Sequence, residues 1–218
     1  MKKKTSIPEI AGIVRRFNLE HSMHFHLAYH YTSSIHLNHM IFLHSYLYGM
    51  LLTCAATAQC IQQKVGEDLD NIGLRSASLI TLFIIYLLYA ILIFSLMVSY
   101  RPPGSVLRIL VIRGLVAGYV LVVGLIAVCV HLTMHHSSTL KCWHVVLIGI
   151  SVVIGSFICQ LIGHFYCEQF MASPDVWHGF VVAPILEWVS FLFRLNFLPE
   201  LEAVWNYVTE VRQRNQDK

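Results

Sequence analysis

Residues 20–44 hold seven histidines: His21, His24, His26, His30, His36, His39 and His44. Imidazole is the commonest metal-binding side chain and changes charge near neutral pH. Such a cluster points to metal or proton chemistry. His44 has the most demanding place, because it falls inside an apolar stretch where an unpaired polar group is costly. It needs a metal or a hydrogen-bonded neighbour. His21, His24 and His26 precede that stretch and read as interfacial side chains with their polar tips in water.

A second constellation is Gln160-Leu-Ile-Gly163-His164-Phe-Tyr-Cys-Glu168. Gln160, His164 and Glu168 recur at every fourth residue, so a helix would carry amide, imidazole and carboxylate along one stripe. The imidazole and the carboxylate could share an ion, or act as ligand and hydrogen-bonded partner. Gly163 lets another helix or a ligand come close to the backbone beside His164. A third is His131-Leu-Thr-Met-His135-His136, spaced like a histidine box of membrane di-iron desaturases and hydroxylases. Those enzymes bring several boxes to one membrane face. The other candidate here, His26-xxx-His30, is expected on the opposite face, and the plain reading is a loop with scattered histidines. Arg113 and Glu187 are charges within apolar stretches and must face protein or water. Glu187 could pair with Arg113 or Arg194.

The elements that must position these groups follow from composition. The 218 residues are 56% hydrophobic and 12% charged, with a net charge of +3. Soluble domains carry about 25% charged residues. A soluble enzyme, a disordered chain and a nucleic-acid binder are therefore excluded. A membrane-crossing helix needs about 20 apolar residues. Residues 38–61, 76–100, 106–131 and 143–166 meet that need, and Arg101-Pro102-Pro103-Gly104 stops the second stretch. A fifth stretch, 176–197, is interrupted by Pro184, Glu187 and Arg194 and either spans or re-enters. The expected fold is all-α: one polytopic membrane bundle of four to five helices over 1–218, with amphipathic termini. Ile10, Ile13, Val14 and Phe17 form an apolar stripe in the histidine-rich 1–37 segment, and Leu201, Val204, Trp205 and Val208 form another in the 198–218 tail. Trp177 and Trp205 suit interfacial anchoring. The first 22 residues hold no long apolar core, so targeting is expected to fall to the first membrane helix. Cys54, Cys60, Cys129, Cys142, Cys159 and Cys167 include no CxxC pair and read as free, buried thiols.

Lys and Arg near helix ends set the orientation. Lys2, Lys3, Lys4, Arg15 and Arg16 precede the first helix, and Arg101 and Arg108 flank the second connection. These parts are expected in the cytoplasm. By helix count, His36, His39 and His44 then share a membrane face with Gln160, His164 and Glu168, whereas His131, His135, His136 and His144 lie opposite.

The segment from Gln160 to Glu168, followed by Pro174 and by Ala183-Pro184 with Glu187, resembles the C-terminal signature of the membrane 2-hydroxy-fatty-acid dioxygenase family. That family acts in phytosphingosine breakdown to odd-chain fatty acids. The upstream segment, residues 29–44, resembles its histidine-bearing first helix, with His44 in the place of the last histidine. The sequence departs from the family pattern at Met40, where Asn is usual, and reads as a divergent member. The resemblance implies a small helical bundle in the endoplasmic reticulum membrane. It also implies Fe(II)-dependent α-oxidation of a 2-hydroxy fatty acid by O₂ with loss of one carbon, next to the cytoplasmic face. On this reading His36, His44 and His164 are the metal ligands, and Glu168 and Gln160 serve catalysis. His36 and His44 would lie about 12 Å apart along one straight helix. On a continuous helix, His39 or His30 becomes the better third ligand. Two other classes compete: a non-enzymatic membrane metal-binding or transport protein, and a di-iron hydroxylase or desaturase.

Overall fold

In lipid every backbone polar group must find its partner within the chain, so long apolar runs fold as helices. The computed structural model describes residues 22, 23, 26, 33–65, 71–99, 106–137, 139–167, 182–198, 202, 205–207 and 210. These include α1 (Ser33–Val65), α2 (Asn71–Ser99), α3 (Val106–Ala117), α4 (Tyr119–His136), α5 (Cys142–Cys167) and α6 (Ala183–Arg194), with no strand among the described residues. The chain is an all-helical membrane bundle. Among the described residues, four stretches are long and apolar enough to cross: Ile35–Val65, Ala77–Val98, Ile109–His136 and Cys142–Tyr166. The outer surface of α2 is apolar along its length, through Phe83, Leu87, Leu88, Ile91 and Phe94. Such a surface suits hydrocarbon rather than water. The amphipathic segment at 10–17, Trp177 and most of the 198–218 tail lie outside the described residues.

The third crossing is two helices in tandem rather than one. Gly118 joins α3 to α4, and its amide donates to the carbonyls of both Gly114 and Leu115. The Leu115 carbonyl also accepts from Trp188 Nε1 at 3.0 Å, which ties this joint to α6.

The long axis of the site is the α1–α5 pair. Leu43, Leu47, Leu51 and Ala55 recur every fourth residue on α1 and are all buried. Backbones come close where small residues meet. A Cβ placed on Gly149 would stand 2.9 Å from Thr53 N and 3.0 Å from Gly49 O, and one on Gly163 would stand 2.6 Å from the Asn38 side chain. Small residues serve this purpose in membranes, where packing rather than hydrophobicity holds helices together. Gly149→Val should force α1 and α5 apart, at a cost of about 1–3 kcal/mol. A lower unfolding temperature in detergent would show it, and an unchanged one would mean that the pair does not pack this closely.

The other end of the pair is covalently joined. Cys60 near the end of α1 and Cys142 at the start of α5 form a disulfide, with Cα atoms 5.6 Å apart. This corrects the expectation that all six cysteines are free. The partners are 82 residues apart in sequence, and cysteine connectivity cannot be deduced from sequence. Cys54, Cys129 and Cys159 are free thiols. On denatured, unreduced protein, added reductant should expose two further maleimide-reactive sites. That gain should vanish in Cys60→Ser/Cys142→Ser.

α6 is a short element with two firm ends. Pro184 sits in its first turn, where a missing N–H costs nothing and the fixed φ suits the helix. At its other end Asn196 takes φ 62°. There Phe197 N donates to Leu192 O and Asn196 N to Phe193 O, a Schellman stop. The 12 residues between make a helix about 18 Å long, short of the roughly 30 Å hydrocarbon core. Ala183, Pro184, Ile185, Leu186, Glu187, Val189, Ser190 and Leu192 are nevertheless all buried. The helix is an interior element, and it carries one carboxylate inward.

Candidate metal centre

A carboxylate taken into an apolar bundle must be paired. Glu187 is fully buried, and two imidazoles meet it. His36, in the first turn of α1, places Nδ1 2.7 Å from Glu187 Oε2. His26, which precedes α1 in the chain, places Nε2 3.1 Å from Glu187 Oε1. The first contact is a hydrogen bond, whereas the second is close without hydrogen-bond alignment. The rings of His26 and His36 have centroids 5.9 Å apart. One ligand atom from each of the three residues lies within 4.8 Å of the others. Their burial is 0%, 5% and 0% exposed for His26, His36 and Glu187.

Among the described residues, His36 Nε2 and the hydroxyl of Ser190, one turn beyond Glu187, are buried without a hydrogen-bond partner. Two imidazoles and one carboxylate, with polar atoms left over, form a donor set that fits a divalent transition metal.

Beside this group stands a second pair. His39 on α1 and His164 on α5 face each other through Nε2 atoms 3.1 Å apart, and both rings are buried. They meet because α1 and α5 run antiparallel, bringing the start of one to the end of the other. Asn38 secures the crossing by donating Nδ2 to the Cys159 carbonyl at 3.1 Å.

His44 is engaged elsewhere. Its Nδ1 lies 2.6 Å from the Met40 carbonyl, one turn back on α1. A carbonyl only accepts, so Nδ1 carries the proton and Nε2 is left as an acceptor. Tyr119 Oη donates to that Nε2 at 3.2 Å. Tyr119 is itself completely buried in the core.

The structure therefore divides the residues read from the sequence. α1 is a continuous helix from Ser33, so His36 and His44 stay well apart along it. His36 joins Glu187, His164 joins His39, and His44 joins Tyr119. Gln160 is buried on the His164 stripe. Glu168 and His30 lie outside the described residues. His131, His135 and His136 occupy the last turns of α4, where His136 Nδ1 donates to the Leu132 carbonyl and closes the helix end. His144 stacks on Trp143 at 3.7 Å between ring centroids. Both groups lie towards the disulfide end of the bundle.

Two site residues differ from their sequence reading. His26 is not an interfacial side chain in water but is buried on Glu187. Glu187 meets these histidines, while the Arg194 guanidinium lies over the Trp205 ring, 5.6 Å from its centroid. The signal for Glu187 was present, as a lone carboxylate in an apolar stretch. His26 carried no comparable signal, because its segment is rich in histidine throughout. Comparison of the chain with protein-family profiles, curated proteins and solved structures finds no match.

Proposed function

We propose that this protein is an iron-dependent membrane oxidoreductase that shortens 2-hydroxy fatty acids by one carbon. The observation that carries the reading is the buried His26–His36–Glu187 group. Two neutral imidazoles and a carboxylate with open positions are the ligand set of non-haem Fe(II) oxygenases. An Fe(II) ion bound there would supply a site for O₂ and would polarise the carboxylate and hydroxyl of a 2-hydroxy acid. The overall change balances as 2-hydroxy acid plus O₂ giving the acid one carbon shorter, CO₂ and water. The C1–C2 bond breaks, and O₂ takes four electrons.

The chain's own residues account for binding. Glu187 supplies negative charge where no water can offset a dication. His26 and His36 supply nitrogen donors that remain neutral when held against a metal. The buried Ser190 hydroxyl, one turn from Glu187, is suited to hydrogen-bond a polar head. The apolar outer faces of the helices would accept the acyl chain from the bilayer.

The site is assigned to the cytoplasmic side, in the endoplasmic reticulum membrane if the cell is eukaryotic. The histidine end follows the five cationic residues of the N-terminal segment. The opposite end carries the Cys60–Cys142 disulfide, which belongs in an oxidising compartment. The two signals are independent and agree.

Protein purified without air should contain iron and consume O₂ when given 2-hydroxypalmitate, with pentadecanoic acid as product. Palmitate, which lacks the hydroxyl, should give no uptake. Protein that holds no iron and consumes no O₂ would overturn the assignment.

A further inference from the structure

We infer that Tyr119 and His44 form a buried relay for an electron and a proton, which drains a one-electron oxidant from the His26–His36–Glu187 group through Trp188. The inference rests on the preceding reading in taking that group as the place where O₂ is reduced. The oxidant is the high-valent metal centre left there when O₂ reacts and no 2-hydroxy acid is present to be oxidised.

The path runs from α6 to α4. Trp188 directly follows Glu187 on α6, and its indole is held by the bond from Nε1 to the Leu115 carbonyl at 3.0 Å. That carbonyl belongs to the joint at Gly118, and Tyr119 is the first residue beyond the joint. The rings of Trp188 and Tyr119 are therefore neighbours, with centroids 6.2 Å apart and planes inclined at 40°. Indole and phenol are the aromatic side chains that most readily give up one electron.

The partner of Tyr119 makes it the end of the path. A phenol that loses an electron becomes a strong acid, so it is oxidised easily where a base takes its proton. Tyr119 Oη donates to His44 Nε2 at 3.2 Å. That nitrogen has a free lone pair, because Nδ1 holds the ring's proton against the Met40 carbonyl at 2.6 Å. Tyr48 Oη instead meets the Thr133 hydroxyl at 2.7 Å, which is no base near neutral pH. Trp188 donates to a backbone carbonyl, which accepts a hydrogen bond but does not take up a proton. Of these three rings, Tyr119 is where the hole settles.

The step balances. The Tyr119 O–H bond breaks, the electron passes through Trp188 to the oxidised metal centre, and the proton goes to His44 Nε2. The products are a neutral tyrosyl radical, an imidazolium and a metal centre reduced by one unit. Both N–H groups of the imidazolium stay bonded, one to the Met40 carbonyl and one to the Tyr119 oxygen, as a charge in the core requires. The step reverses when an electron returns. Tyr119 is completely buried, so the radical is shielded from solvent.

Metal-free, full-length protein in detergent tests the relay apart from the metal. Azide radicals made by pulse radiolysis oxidise tryptophan, and passage of the hole to tyrosine is read as indole-radical absorbance giving way to tyrosyl-radical absorbance. Wild type should show a fast phase that slows in D₂O. Trp188→Phe and Tyr119→Phe should each lose it, whereas Trp143→Phe, beside the disulfide, should keep it. His44→Gln accepts the phenol's hydrogen bond but not its proton, and should lose it too. If that variant fails to fold, the D₂O measurement on wild type decides the proton's part. Iron-loaded wild type mixed with O₂ in the absence of 2-hydroxy acid should then give a tyrosyl EPR signal that Tyr119→Phe lacks. A fast phase missing from wild type, kept in Tyr119→Phe, or indifferent to D₂O would overturn the relay and leave the proposed function standing. So would a fast phase without the EPR signal in protein that does consume O₂. A fast phase in protein that holds no iron and consumes no O₂ would overturn the link to the metal group together with the proposed function.

Discussion

Glu187→Gln should lose iron and 2-hydroxy-acid oxidation while the bundle still assembles. The carboxylate is completely buried and contacts His26 and His36 on its two oxygens. Gln keeps the shape and an acceptor oxygen but removes the only negative charge in the group. Loss of a partner hydrogen-bonded to a ligand typically lowers metal affinity by about 10–100-fold, and loss of a ligand should exceed about 100-fold. Glu187→Ala should do more. It leaves His36 Nδ1 buried without its acceptor, at a cost of about 1–3 kcal/mol. The two variants separate chemistry from folding. Gln should elute as a monodisperse protein without iron, whereas Ala should be poorly recovered. Iron content and O₂ uptake equal to wild type in Glu187→Gln would remove Glu187 from the metal centre.

His44→Ala is expected to retain iron and lose stability. Its Nδ1 is committed to the Met40 carbonyl, and its Nε2 accepts from Tyr119 Oη. Neither nitrogen is directed to Glu187 or His164. Truncating His44 strands the Tyr119 hydroxyl in the core, and Tyr119→Phe strands His44 Nε2. A buried polar atom left without its partner costs about 1–3 kcal/mol. Each single variant should therefore unfold at lower temperature or denaturant. The double variant should lose less than the sum, with a coupling of about 0.5–3 kcal/mol. Iron analysis of the same preparations decides the role. Loss of iron in His44→Ala, with iron retained in Tyr119→Phe, would return His44 to the ligand set.

The architecture was largely legible. Apolar run lengths anticipate the four helical stretches long enough to cross a membrane, because the hydrocarbon core imposes its thickness on any helix that spans it. The limits that moved have local causes. The first helix extends from Ser33 to Val65, past its apolar part, because hydrogen bonding continues where hydropathy stops. The third crossing divides at Gly118, where the Leu115 carbonyl is shared with Trp188. Hydropathy cannot report a joint that stays apolar on both sides.

The candidate site was legible in its materials rather than in its pairings. An excess of histidine, a stripe through Gln160 and His164, and a carboxylate in an apolar stretch are all properties of residue type and helical period. They mark which groups cannot be left alone in lipid. Spacing also excluded a shared ion for His36 and His44, once α1 proved continuous.

Which partner each group takes depends on contacts between residues far apart in the chain. His36 and Glu187 are 151 positions apart, His39 and His164 are 125, and Cys60 and Cys142 are 82. Helical period fixes a side chain's direction about its own axis. It says nothing of how far two helices are rotated or slid against each other. Here small-residue contacts at Gly49, Gly149 and Gly163 set that register. A slide of one turn, about 5.4 Å, would bring another α1 residue to His164 in place of His39. The sequence alone thus determined that this is a histidine-bearing helical membrane bundle with buried charge to satisfy. Only close helix packing decided that Glu187 answers His26 and His36, that His164 answers His39, and that His44 answers Tyr119.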